Sequence, residues 1–295
     1  MSIELLPERG IDLHCHSLFS DGCKTPAELL EMAAAKKLRA LALTDHDTTS
    51  GLEDFQALSA NYDIELINGI EISSRYQNRE VHIVGLYIDT KNAELQTFLS
   101  EIRRQRDIRN EQIAVKLHHL GYEIDLAELN NLGLDDKSIG RPHFARALVT
   151  KYGFESEYIV FEQLLKRGAP AYEHRHLPMP TEVIQIIHNA GGVAIWAHPI
   201  CREPRDRNWT RKALRYFHEN GLDGIEAYYS SFALEQRNFV LRTVENFPGL
   251  AISGGSDYHG RANEALELGW GGLDHALIPV SLLSRLKEIA KKYQF

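Results

Sequence analysis

Leu38-Arg39-Ala40-Leu41-Ala42-Leu43-Thr44-Asp45-His46-Asp47 sets a short apolar run directly against a polar cluster. A continuous apolar run of this length reads as a buried strand of a parallel sheet. Two carboxylates and an imidazole at its end are costly to bury unless they are paired or ligate a metal. The same arrangement recurs in both directions. Upstream, residues 9–16 read as a strand ending in His14-Cys15-His16, then Ser20-Asp21-Gly22 turns and Thr25-Pro26 opens a helix with proline at its first position. Downstream, 64–72 reads as a strand carrying Glu71, and 80–88 as one carrying His82. The run 192–197 leads into His198-Pro199, and 250–254 leads into Asp257-Tyr258-His259. Helical patterns fall between these strands, at 51–60, 181–189, 211–219 and 234–246, with a last helix at 284–292. Alternation of this kind predicts an α/β fold with a mainly parallel sheet, whose strand C-terminal ends are where active sites assemble.

From about 91 to 175 the rhythm changes to helical segments, including a long amphipathic stretch over 93–120. The reading is a main domain of residues 1–90 and 176–295, interrupted by a helical insertion at 91–175 that caps the substrate site. The 295 residues suffice for this, and the 43% hydrophobic content excludes a disordered or fibrous chain. A formal charge of −8 argues against a generally basic nucleic-acid coat, so any polyanion must meet local positive patches. Residues 137–176 carry seven Lys/Arg against four acids, and 201–215 carry six against two. Three cysteines, Cys15, Cys23 and Cys201, form no CxxC and suggest a reducing cytoplasm. Neither a signal-peptide core in MSIELLPERG nor an 18-residue apolar run is visible, so no membrane association is expected. No protein partner is evident.

Taken singly, each cluster has a plain explanation. His14 and His16 share one strand face about 6 to 7 Å apart, which one metal can bridge or chance can supply. Asp21 suits a turn, and Asp47 or Thr48 suits a helix cap, although capping has no use for His46. Glu71 is a lone carboxylate in an apolar strand, and His82 could equally be a satisfied core histidine. Five separate strand ends all delivering His, Asp or Glu outweigh those explanations and predict a multinuclear metal site, with ligands suited to Zn, Mn or Fe.

In this order, HCHSLFSDG, LALTDHDTTSG, the Glu71 strand, AHP and SDYH resemble the PHP (polymerase and histidinol phosphatase) phosphoesterases over residues 10–90 and 180–260. The resemblance implies a distorted (β/α)7 barrel with three divalent ions, manganese first and zinc or iron as alternatives. It would place His14, His16, Glu71 and Asp257 on one ion, Glu71 with His82 and His198 on a second, and Asp21, His46 and His259 on a third. Some members carry histidine where Asp21 stands. The aspartate and the all-helical insertion look more like the branch acting on nucleoside 3′,5′-bisphosphates and on 5′-phosphorylated RNA, as phosphatase and 5′-to-3′ exoribonuclease. A hydroxide bridging two ions, held by Glu71, His82 and His198, is the nucleophile such a site would use. Cys15 falls on the opposite strand face and is assigned to packing. Arg141, His143 and Arg175 are the expected phosphate contacts, the first two at a helix start. Arg103, Arg104, Arg106 and Arg109 are assigned to a solvated helix face. Alternatives are a histidinol-phosphate type phosphatase, a non-catalytic PHP module, and an amidohydrolase-type enzyme, although the bridging lysine of that last group is not seen.

Overall fold

Asp12–Cys15 (β1), Ala40–Leu43 (β2), Glu65–Tyr76 (β3), Arg79–Leu86 (β4), Val193–Trp196 (β5), Gly224–Tyr229 (β6) and Ala251–Gly255 (β7) form one sheet in which sequence neighbours are also spatial neighbours. The structure, a computed structural model, describes residues 10–130, 138–200, 207–261 and 266–294. The chain after β7 runs along β1 and closes the sheet into a barrel. There the Asp257 N–H donates to the His14 carbonyl at 2.8 Å, and the His16 N–H to the Tyr258 carbonyl at 2.9 Å.

Side-chain size explains how the barrel fills. In β2, Ala40 and Ala42 point into the narrow interior with Ile11, Leu13, Ile67, Val84, Val193 and Ile195, while Leu41 and Leu43 point outward under the helices. Pro26–Ala35 (α1) begins at Thr25, whose side chain forms a reciprocal capping box with Glu28. Leu52–Ala57 (α2) follows a left-handed Asp47 and has no side-chain cap, so neither Asp47 nor Thr48 serves the capping role the sequence allowed.

β3 and β4 depart from the expected βα alternation. Gln77 and Asn78 both adopt left-handed backbone, with φ of 48° and 63°, and turn the chain back in two residues. β4 therefore runs antiparallel to β3 and β5, while β1–β3 and β5–β7 pair parallel. The β3 strand continues to Tyr76, so Glu71 lies within it and not at its end.

Ala93–His119 (α3), Leu126–Asn130 (α4), Arg141–Tyr152 (α5) and Glu157–Val160 (α6) follow β4. Ile113 and Leu117 of α3 join Phe144, Leu148, Val160 and Leu165 in a separate apolar cluster. Leu95, Leu99 and Ile102, about three to five turns before Ile113, instead pack into the layer around the barrel. The expected boundary at residue 91 thus cuts ahead of a helix that belongs to both parts. Pro180–Asn189 (α7), Arg207–Glu219 (α8) and Leu234–Val244 (α9) complete the outer layer, and Leu282–Ala290 (α10) closes the barrel floor with Leu283, Leu286 and Ile289. Among the described residues no helix is long and apolar enough to cross a membrane.

Barrel closure requires a bare backbone at Gly255, where an added Cβ would lie 2.1 Å from His14 Cβ and 2.6 Å from its nitrogen. Backbone cannot swing aside as a flexible side chain can. Gly255→Ala is expected to cost at least about 2 kcal/mol of stability, read as a lowered thermal midpoint.

Candidate metal centre and arginine cleft

A bulge aims the first two expected ligands. Ile11 and Leu13 face the barrel interior while Cys15 faces outward, because the β1–β2 register shifts between Asp12 and Cys15. The shift turns His14 and His16 inward at the rim, with their Nε2 atoms 3.2 Å apart. Cys15 packs outward as expected and its thiol donates to the Ala42 carbonyl. His198 and Asp257 follow the ends of β5 and β7 in left-handed backbone, with φ of 32° and 55°. Such strain in non-glycine residues is characteristic of functional sites.

Glu71 is the hub. His82 Nδ1 and His198 Nε2 lie 2.6 and 2.7 Å from its Oε1, while His46 Nδ1 lies 2.9 Å from its Oε2. The Nε2 atoms of His14 and His16 each stand 3.3 Å from the same Oε2. His16 also meets Asp257 at 3.0 Å, and His259 meets Asp21 at 3.1 Å. Eight of the nine expected ligands therefore fall in three sets whose donor atoms lie within 4.8 Å of one another: His14, His16, Glu71 and Asp257; His16, Asp21, His46 and His259; and His46, Glu71 and His82. The ninth, His198, reaches Glu71 but belongs to none of these sets, where the resemblance placed it with Glu71 and His82. His46 thus stands between two sets, where the resemblance assigned it to one.

The electrostatics suit bound cations. Burial raises the cost of charging every group here, yet the surrounding imidazoles hold Glu71, Asp257 and Asp21 well below the usual carboxylate range. Burial likewise opposes charge on His16, but hydrogen bonds to Asp257 and Glu71 push it up to about 10. His14 is raised well above its ordinary value against the same burial, chiefly by Glu226. Glu71 Oε2 and Asp21 Oδ1 are buried with imidazole nitrogens 2.9 and 3.1 Å away, yet among the described residues neither has a hydrogen bond of good geometry. Hard oxygens left so, among imidazole nitrogens, fit divalent ions of the Mn, Fe or Zn class.

Three supporting residues carry no role in the sequence reading. Glu226 on β6 accepts from His14 Nδ1 at 2.7 Å, which leaves Nε2 as the lone-pair donor toward the centre, and its other oxygen accepts from the His198 N–H at 2.7 Å. Tyr229 donates to Asp257 Oδ2 at 2.8 Å. Asp45 accepts from Ser17 and Ser20 hydroxyls at 2.6 Å each, fixing the loop after His16. Glu226 bears the same signature that singled out Glu71, a carboxylate inside an apolar strand.

A cavity of about 350 Å3 opens from Asp21, His46, His82, Asp257 and His259 toward Arg106, Arg109, Arg141 and Arg175. Arg106 and Arg109 are buried, which corrects their assignment to a solvated face. The signal lay in the spacing: buried Leu95, Leu99, Ile102, Arg106, Arg109, Ile113 and Leu117 form one helical stripe, with the arginines in apolar positions. Asp47 organises them. Its carboxylate is buried, accepts from the Ser73 N–H at 2.9 Å and from Arg175 Nη1 at 3.0 Å, and pairs with Arg106. Despite burial those two guanidiniums hold its pKa well below the usual range. Arg141 lines the cleft with Nη2 3.7 Å from Glu80. Arg109 bonds only to Asn110 Oδ1, at 2.9 Å, and its Nε and the Ser138 hydroxyl beside the cleft have no hydrogen-bond partner among the described residues. Burial, then Arg106, lowers the pKa of Arg109 well below the ordinary value.

His143 does not reach the cleft as expected. Its Nδ1 accepts from the Gly140 N–H at 3.1 Å and closes the first turn of α5, so it is a cap. The basic cluster expected at 201–215 lies partly outside the described residues, from 201 to 206.

Comparison with known proteins agrees with this architecture. Residues 12–160 match the PHP domain. A 5′-3′ exoribonuclease of Haemophilus influenzae is 36% identical over 84% of this chain and 89% of its own. A 3′,5′-nucleoside bisphosphate phosphatase of Chromobacterium violaceum is 35% identical, covering 88% and 90%. Among solved structures, a Bifidobacterium adolescentis chain named as a metal-dependent phosphoesterase superposes with a TM-score of 0.84 at 28% identity, covering 95% and 96%. With its barrel, its rim of metal-type donors and these relatives in agreement, the chain belongs to the PHP domain family.

Proposed function

We propose that this metal-dependent phosphoesterase grips a nucleotide by its 5′-phosphate and hydrolyses the ester on its 3′ side. The observation that carries the reading is one cleft with two unlike ends: convergent metal-type donors at the barrel rim, and guanidiniums at the helical wall. Four arginines there face two carboxylates, Asp47 and Glu80, a surplus of two positive charges that suits a phosphate monoester dianion. Arg106, Arg109, Arg141 and Arg175 are the proposed grip, with Arg106 and Arg109 replacing the contact expected of His143.

His14, His16, Glu71 and Asp257, then Glu71, His82 and His198, then Asp21, His46 and His259, would hold three ions, with manganese the first choice. Bound divalent ions supply a water of lowered pKa and charge for the attacking and leaving oxygens. The residues of the chain do the rest. Glu226 fixes the His14 tautomer, Tyr229 restrains Asp257, and Asp47 holds Arg106 and Arg175 in place before substrate arrives. With the 5′-phosphate fixed, the phosphorus on O3′ falls at the donor cluster. A 3′,5′-bisphosphate then loses inorganic phosphate, and a 5′-phosphorylated RNA loses its first nucleotide, by the same bond cleavage. The reading places both relatives' named activities on one pocket, in a cytoplasmic setting.

The deciding experiment compares manganese-loaded protein on adenosine 3′,5′-bisphosphate, a 5′-phosphorylated oligoribonucleotide and histidinol phosphate. Turnover of the first two supports the reading, and turnover of histidinol phosphate alone overturns it. Asp257→Asn should lower bound metal, measured by elemental analysis, and reduce turnover at least about a hundredfold, beyond the loss typical of an outer-shell change. Arg109→Ala and Arg141→Ala should each lower kcat/KM for 5′-phosphorylated substrates by about 10- to 100-fold, the worth of one charge-assisted hydrogen bond. An equal loss on bis(p-nitrophenyl) phosphate would remove them from the grip.

A further inference from the structure

Glu80 stands between the two ends of the cleft. It is the second residue of β4, one pleat before His82, so both side chains face the same way. Its Oε1 lies 3.1 Å from His82 Nε2, and its Oε2 lies 3.7 Å from Arg141 Nη2. One carboxylate thus separates the metal-type donors from the guanidiniums, and Glu80 lines the cavity that joins them.

On the reading of the substrate given above, the group that spans these two ends is the ribose. Its O5′ and O3′ are esterified and its ring oxygen is an ether, so all three can only accept hydrogen bonds. An ionised carboxylate also only accepts. The 2′-hydroxyl is the one donor on the sugar that can meet Glu80, and it is vicinal to the O3′ that must lie toward His82. We infer that Glu80 is the ribose-reading residue of this enzyme, its carboxylate accepting the 2′-hydroxyl and favouring ribonucleotides over 2′-deoxyribonucleotides. A site that offers a carboxylate to a hydroxyl discriminates against the analogue lacking it, because the acceptor is left facing an apolar carbon. Glu80 is 31% exposed, so the penalty is softened by water.

The test measures kcat/KM for adenosine 3′,5′-bisphosphate and for its 2′-deoxy counterpart in wild type, Glu80→Ala and Glu80→Gln. Alongside, calorimetry on metal-free protein compares binding of adenosine 5′-monophosphate with its 2′-deoxy counterpart. Wild type should prefer the ribose by about 10- to 100-fold, the range of a hydrogen bond to a charged group. In Glu80→Ala that ratio should fall toward one in both turnover and binding, while Glu80→Gln, which keeps a carbonyl acceptor, should retain part of it. A variant that loses activity on both sugars alike, its ratio preserved, would assign Glu80 to supporting His82 and overturn the inference. Wild-type turnover of both sugars at equal efficiency would overturn it too, leaving the two-ended cleft intact. Wild type that cleaves neither bisphosphate nor 5′-phosphorylated RNA would instead overturn the reading of the substrate on which the inference stands.

Discussion

Glu71 has no exposure to solvent and meets three imidazoles on its two oxygens, with two more within 3.3 Å. A carboxylate in such a place is stable only while positive charge surrounds it. Much else in the barrel serves that condition. The bulge in β1 turns His14 and His16 toward it, the strained backbone at His198 swings in a ring from β5, and the β3–β4 hairpin brings His82 across. The carboxylates around His14 and His16, Glu226 for the first and Asp257 with Glu71 for the second, favour positive charge on both rings and push their pKa upward despite burial. Divalent ions would compete with protons at the same atoms, so metal binding here would weaken as pH falls.

Asp47 performs the matching task for the arginines. It sits on the loop after β2, in left-handed backbone, yet its partners come from α3 and from the segment returning to the barrel before α7. One buried carboxylate therefore docks the helical part onto the barrel and sets the shape of the arginine-lined end of the cleft. Removing it would leave Arg106, Arg109 and Arg175 buried beside one another with mutual repulsion. The same arrangement leaves Arg109 buried beside Arg106 and Arg175, which together with burial lowers its pKa; on the proposed function a phosphate would supply the missing counter-charge.

The legible parts of this protein were those where residue type conflicts with its surroundings. His14-Cys15-His16, Glu71 in an apolar strand and Asp257-Tyr258-His259 after glycines could each be read because a core rejects them. Glu226 obeyed the same logic and was passed over, since one carboxylate in Gly224-Ile225-Glu226-Ala227 lacks a neighbouring histidine in sequence. The hairpin was hidden because Gln77-Asn78 is a weaker turn signal than Asn-Gly. Arg106 and Arg109 were hidden because arginine on a long helix is ordinarily solvated; only their place in the apolar stripe gave them away. Expecting His143 on phosphate overlooked that a ring at the third helical position can reach back to the cap.

That unforeseen hairpin is also what gives the cleft its length. Because side chains alternate along a strand, the two-residue turn fixes at once which residues of β4 face the rim. With the observed register, Ser73 stands opposite His82 and Arg75 opposite Glu80, so His82 reaches Glu71 while Glu80 projects beyond it toward Arg141. A slip of one residue would bring Val81 and Ile83 to that face and remove both the imidazole and the carboxylate above it. The separation between the two ends of the cleft is therefore a pleat of backbone, held by ladder hydrogen bonds and not by flexible side chains. On the proposed function, a rigid separation of that kind suits a substrate whose two phosphates are themselves held apart by a single sugar, and would let one pocket serve a free bisphosphate and the first nucleotide of a chain alike.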